Sequence, residues 1–227
     1  MTSQYHLDLE TISLDRFRSD LESTEMLPGR TILQEDIAGR FAVLEAMGVC
    51  NLKELVSALS TKQKIRGFSE ASGLPVEYLV ILGRQARSYV PKLVSLRDIP
   101  GVDPEQVRRL AEVGILHSKH LFDRGATPAD RAALAKETGI PEADLLELVS
   151  LSDLARVGGM GPVFVRLFYA AGVDSLATLA GWAPEALFEW LHAVNRERRL
   201  SHVVPSLKDV TNYVEKAREL PKVIVVG

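Results

Sequence analysis

Gly159-Met160-Gly161-Pro162 is the segment whose residue types and spacing most directly offer chemistry. An apolar residue between two glycines makes a tight turn, because glycine reaches backbone conformations that a Cβ opposes. The proline behind it suits the first position of a helix, where its missing N–H is not needed. A turn that leads into a helix N-terminus presents free N–H groups and the positive end of the helix dipole. Together these hold a phosphate oxygen without reading any base. Arg156 and Arg166 flank the turn and add charge. The densest basic run, Arg196-Glu197-Arg198-Arg199, lies in the same third of the chain, where it serves equally as a solvated helix end or as a further phosphate contact. The nucleic-acid contacts read from the sequence are therefore Arg156, Gly159, Met160, Gly161, Arg166, Arg196, Arg198 and Arg199.

Other chemistry-bearing residues carry less. His117 and His120 stand three apart, with Asp123 three further on, so a helix would place all of them on one face as potential ligands. No fourth ligand accompanies them, and His117 also stands where a helix cap belongs. An exposed surface pair is the expectation, with no metal assigned. Gly159-Met160-Gly161 is not a dinucleotide loop, since Phe164 occupies the place of the third glycine and no strand precedes it. There is no nucleophile elbow, phosphate-loop lysine motif or zinc-protease motif. The chain is thus expected to be non-enzymatic, with no catalytic residue and no cofactor. Lys62, Lys64 and Arg66 form a lesser basic run without a glycine turn beside it. Trp182 and Trp190, among Leu187, Phe188 and Leu191, read as core. Cys50, the single cysteine, lies beside Val49 and Leu52 and is expected as a buried free thiol in a reducing cytosol.

The elements that position these residues come from internal repetition. Gly48, Gly114 and Gly172 each close an apolar-periodic segment, and Gly73 and Gly139 each follow 25 residues after the first two. Leu74-Pro75 and Ile140-Pro141 follow those second glycines, so the first two copies match at an offset of 66 residues. The third copy matches the second at an offset of 58, which lays Gly101-Val102-Asp103-Pro104 over Gly159-Met160-Gly161-Pro162. The intervening segments have helical period, with Ile37, Phe41 and Leu44 or Phe164, Leu167, Phe168 and Ala171 as stripes. Thr127-Pro128-Ala129-Asp130 reads as a helix start, as does Ser206 with Asp209 three residues on. Strand signals are confined to residues 5–9 and 223–226. The fold expected is all-α, in tandem helix-hairpin-helix repeats of three diverged copies. In the second copy Asp103 replaces the second glycine, caps its helix and would repel phosphate, and around Ile37-Ala38-Gly39 the turn motif is lost.

Composition bounds the partners. The 227 residues, 46% hydrophobic, suffice for one or two compact units, with Pro91 as the natural joint. A formal net charge of −3 gives no global attraction to polyanions, and only residues 157–227, with 8 basic and 7 acidic side chains, are net positive. The first 25 residues carry too many acids for a secretory signal, and no apolar run spans a bilayer, so a soluble cytoplasmic protein without membrane association is expected. The division expected is an N-terminal arm over 1–30, a diverged helical repeat over 31–94, a tandem helix-hairpin-helix domain over 95–220 and an apolar tail over 221–227.

From residue 95 to about 220 the chain resembles the bacterial domain-of-unknown-function family 4332, a tandem helix-hairpin-helix family. The resemblance rests on Arg124-Gly125-Ala126-Thr127-Pro128, Thr138-Gly139-Ile140-Pro141, Leu154-Ala155-Arg156-Val157-Gly158-Gly159-Met160-Gly161-Pro162, Ala170-Ala171-Gly172-Val173-Asp174 and Val194-Asn195. It implies the fold and a role in binding nucleic-acid backbone or a protein partner, and it assigns no reaction. Two readings stay open. One is a sequence-nonspecific nucleic-acid binder acting through Gly159-Met160-Gly161. The other is an interaction or self-assembly module that docks a protein through its repeats and the tail Val223-Ile224-Val225-Val226.

Overall fold

The computed structural model describes residues 4–24, 26 and 28–225. Among them the chain is all-helical, with no strand and only two isolated bridges, Ser13 to Asn51 and Ser95 to His117. None of these helices is long and apolar enough to cross a membrane. The chain forms two compact units, Leu7–Val90 and the combination of Met1–His6 with Pro91–Gly227.

The unit Leu7–Val90 contains α1 (Leu14–Ser23), a 3-10 helix (Pro28–Leu33), α2 (Ile37–Ala46), α3 (Leu52–Ala58), α4 (Lys62–Ser72) and α5 (Val76–Arg87). Leu7–Ser23, expected within an N-terminal arm, belong to the core of this unit. Leu9, Ile12, Leu14, Phe17 and Leu21 are buried with Phe41, Leu44, Leu52, Leu55, Leu79 and Leu82 in one core, because the apolar stripe of α1 needs the cover that α2 provides. Cys50 is exposed, contrary to expectation. Val49 and Leu52 take the inward positions, while Cys50 sits just before the N-cap Asn51 with its N–H donated to Glu54 Oε2 at 2.7 Å.

The larger unit contains a short 3-10 turn (Leu96–Asp98), α6 (Pro104–Glu112), α7 (Ser118–Gly125), α8 (Pro128–Thr138), α9 (Glu142–Leu154), α10 (Pro162–Ala170), α11 (Leu176–Gly181), α12 (Pro184–Arg198) and α13 (Leu207–Glu219). α7 packs chiefly on α9, and α11 and α12 pack on α13. Capping fixes several starts. Thr127 with Asp130 and Ser206 with Asp209 form reciprocal capping boxes, each satisfying two otherwise orphaned N–H groups. Neither segment with a strand signal becomes a strand among the described residues, and Val226 lies outside them. Trp190 is a second departure, at 47% exposed. Leu187, Leu191 and Val194 are the stripe that α12 buries, and Trp190 lies off it with its indole N–H donated to Ala171 O at 2.8 Å.

Helix boundaries follow the sequence offsets. α3, α4 and α5 begin at Leu52, Lys62 and Val76, and α7, α8 and α9 each begin 66 residues later. α10 and α11 begin 58 residues after α6 and α7. Positive φ angles recur in the same steps at Gly48, Gly114 and Gly172, at Gly73 and Gly139, and at Gly101 and Gly159.

Candidate functional site

The turn between α9 and α10 is built from the inside outward. Val157 and Met160 are buried at 1% and 4% exposure and anchor it, and the Met160 N–H closes it onto Val157 O at 3.0 Å. Gly159 holds φ +96°, a conformation side-chain-bearing residues rarely adopt, with the Tyr213 ring 3.6 Å from where a Cβ would stand. Gly161 is extended and occupies the N-cap of α10, with Pro162 as the first helical residue. The N–H groups of Gly161, Val163 and Phe164 find no acceptor among the described residues. The carbonyl side of the turn is taken. Tyr213 of α13 donates its hydroxyl to Gly159 O at 3.1 Å, and Lys216 donates to Gly158 O at 2.8 Å. Burial pushes the Tyr213 hydroxyl up to about 12 and draws the Lys216 ammonium down. Tyr213 and Lys216 were missed in the sequence because they lie more than fifty residues from the turn and no motif marks them.

The arginines expected beside the turn do not face outward. Arg156 is 1% exposed. Its Nη1 pairs with Asp153 at 2.5 Å, its Nε donates to Tyr5 O at 2.9 Å, and its Nη2 donates to Gln4 O and Pro221 O at 2.8 and 2.9 Å. The guanidinium also lies 4.5 Å over the Phe122 ring. Asp153 in turn accepts the Leu176 N–H at 2.8 Å, and burial pushes its carboxyl up against the pull of these partners. Arg156 is thus a buried clamp that fastens residues 4, 5 and 221, with four of its five N–H donors committed inside the protein and its side chain closed off from phosphate. Arg166 is also committed, to Pro100 O at 2.5 Å and Glu147 at 2.7 Å, with its side chain 13% exposed and its Nη2 buried without a partner. It ties α10 to the other hairpin. Arg196, Arg198 and Arg199 are exposed at the end of α12, and among the described residues none is in an ion pair or bonds to the turn.

The hairpin before α6 has the same turn with the opposite electrostatics. Val102 N–H closes onto Ile99 O at 3.3 Å and Gly101 has φ +78°, but Asp103 caps α6, accepting the Glu105 N–H at 2.9 Å. Glu105 is itself held down to about 2 by hydrogen bonds from Arg108 and Arg109. A carboxylate therefore occupies the place that the α10 hairpin leaves open.

His117 and His120 are occupied in capping. No cluster of three or more ligands exists among the described residues, and both Nδ1 atoms accept backbone N–H groups at the start of α7.

A family model described as Domain of unknown function (DUF4332) matches residues 100–220, from the first hairpin through α13. The chain belongs to this family. The match contains both glycine hairpins and stops short of the unit Leu7–Val90. No curated protein and no solved structure matches the chain.

Proposed function

We propose that this protein is a non-enzymatic binding protein of tandem helix-hairpin-helix repeats, three diverged copies, whose hairpin at Gly159–Gly161 holds the phosphate backbone of nucleic acid. One observation carries the reading. Among the described α-helices, α10 alone has neither a side-chain cap nor a carboxylate at its N-cap or first turn. α1, α3, α4, α6, α7, α8, α11 and α13 have capping side chains, α2 has Asp36 at its N-cap, and α5, α9 and α12 have acids in their first turns. Open N–H groups at the positive end of a helix dipole favour an anion.

Part of the charge comes from a residue the sequence does not mark, while Arg156 and Arg166 are withdrawn from it. Lys216 reaches the turn and uses one of its three N–H donors on Gly158 O. Arg196, Arg198 and Arg199 are exposed for outlying phosphates. Docking of a protein partner through the tail has less support, because Val225 N–H bonds Ala126 O at 3.0 Å and Val225 O accepts from Arg131 at 2.8 Å.

The test is a fluorescence-anisotropy titration of labelled duplex and single-stranded DNA at two salt concentrations. Binding without sequence preference is expected, weakening as salt rises with a log–log slope of about 0.9 per phosphate neutralised on duplex. Gly161→Asp, which copies Asp103, is expected to abolish binding while keeping α10 capped. Absence of salt-dependent binding at micromolar protein overturns the proposal.

A further inference from the structure

α7 opens on two histidines that cap it and each other. His117 is extended at the N-cap, and its Nδ1 accepts the His120 N–H at 3.4 Å. The His120 ring folds back so that its own Nδ1 accepts the Leu116 N–H at 3.3 Å. The two rings stack with centroids 3.6 Å apart and planes inclined by 31°. A neutral imidazole that accepts at Nδ1 carries its proton at Nε2, so a further proton has only the Nδ1 lone pair to occupy. That is the atom making the cap. We propose that His117, stacked on His120, forms a proton-sensitive cap, which holds the first turn of α7 while the His117 ring is neutral and releases it when that ring is protonated.

Three effects act together against the charged form. Protonation turns an acceptor into a donor facing a backbone N–H. It places a cation at the positive end of the α7 dipole. It also sets that charge against a second imidazole at stacking distance. The surrounding charges do little to offset this. On α7 itself Lys119 opposes protonation, and Asp123, the carboxylate that favours it, is paired with Lys119. From the segment bridged to His117, Arg97 donates to Ser95 Oγ and brings another positive charge. From α8, Asp130 closes its own capping box and Glu137 pairs with Arg124. From α9, Asp144 accepts from Gln106, Glu147 is held by Arg166 and Asp153 by Arg156. Among the described residues none of these α8 and α9 carboxylates bonds either ring.

Burial first, and the neighbouring His120 second, hold His117 below the ordinary 6.5. Since the folded-state value is the lower one, the stabilisation is complete above pH 6.5 and is lost as pH falls through the folded value. The corresponding caps of the other two copies do not titrate. Asn51 accepts from Glu54 N–H on α3, and Ser175 accepts from Thr178 N–H on α11. Release of the α7 cap reaches further than one turn. The next residue, Ser118, donates its N–H to Val94 O at 2.8 Å, accepts the Val94 N–H at 3.1 Å and bonds the Tyr5 hydroxyl at 2.7 Å.

The experiment is nuclear magnetic resonance of the full chain between pH 8 and pH 5, reading imidazole 15N shifts and amide exchange, on wild type and His117→Asn, which copies Asn51. At pH 8 both rings are expected as the Nε2–H tautomer. The opening constant of the His120 amide should rise about tenfold per pH unit below 6.5 in wild type, down to the folded value, and stay flat in His117→Asn. Nδ1–H tautomers at pH 8, or the same pH dependence in both proteins, overturn the proposal. The tautomer measurement on wild type decides alone if the variant does not fold.

Discussion

Replacing Arg156 by methionine removes the buried clamp while keeping a long apolar stem in its place. The substitution leaves the Asp153 carboxylate, 2% exposed, without its cation, and removes the N–H donated by Arg156 to Pro221 O. Breaking a buried ion pair from one side costs about 3–5 kcal/mol, because an uncompensated charge stays in a low-dielectric site. The lost bond to the Pro221 carbonyl adds roughly 1 kcal/mol, and the two terms share partners and do not sum fully. A loss of about 4 kcal/mol follows, which lowers Tm by roughly 8–16 °C for a domain of this size. Both tryptophans lie in the unit that contains Arg156, so urea denaturation followed by their fluorescence reads that unit alone. Adding Asp153→Asn removes the stranded charge yet keeps an oxygen for the Leu176 N–H, and is expected to recover about 1–3 kcal/mol. A cost below about 1 kcal/mol for Arg156→Met, or a double variant less stable than the single one, would refute the clamp.

Cys50 is expected to react with an aromatic disulfide reagent nearly as fast in the native protein as in urea, and Cys50→Ser to shift stability by no more than about 0.5 kcal/mol in urea denaturation. Gly125→Ala is expected to destabilise by about 1–3 kcal/mol despite the better helix propensity of alanine, because a Cβ there meets Val149 Cγ2 at 2.5 Å; thermal denaturation of this variant and of Gly125→Ala with Val149→Ala, which should regain part of the loss, checks the steric cause. Tyr213→Phe should cost about 0.5–1.5 kcal/mol and speed exchange of the Met160 amide, through loss of the bond that braces Gly159 O, and unchanged exchange there would count against bracing by α13.

Local signals were legible in the sequence. The helix starts at Pro128 and Leu207 follow from capping residues within three positions, and the positive-φ glycines stand at the recurring offsets because each turn needs the same backbone conformation. What the sequence hid depends on contacts across many residues. Arg156 looked like a free charge beside a turn, whereas its partners come from residues 4, 5 and 221. Asp153 three residues earlier, the one charge between Glu147 and Arg156, was the available warning, since a charged pair without a solvated face tends to be buried together. Cys50 and Trp190 erred for a related reason: apolar neighbours in sequence do not show which way a side chain turns at a helix start or one position off a buried stripe. Lys216 could be found only once α13 was seen lying against the hairpin.

The central claim, that the α10 N-terminus receives a phosphate, is tested most directly by following backbone amide resonances while a short duplex DNA is titrated into the 227-residue chain at low salt. The account predicts that the N–H signals of Gly161, Val163 and Phe164 move first and furthest, while those of Val102 and Glu105 at the Asp103-capped hairpin stay in place. Shifts confined to other amides, or equal shifts at both hairpins, would contradict it.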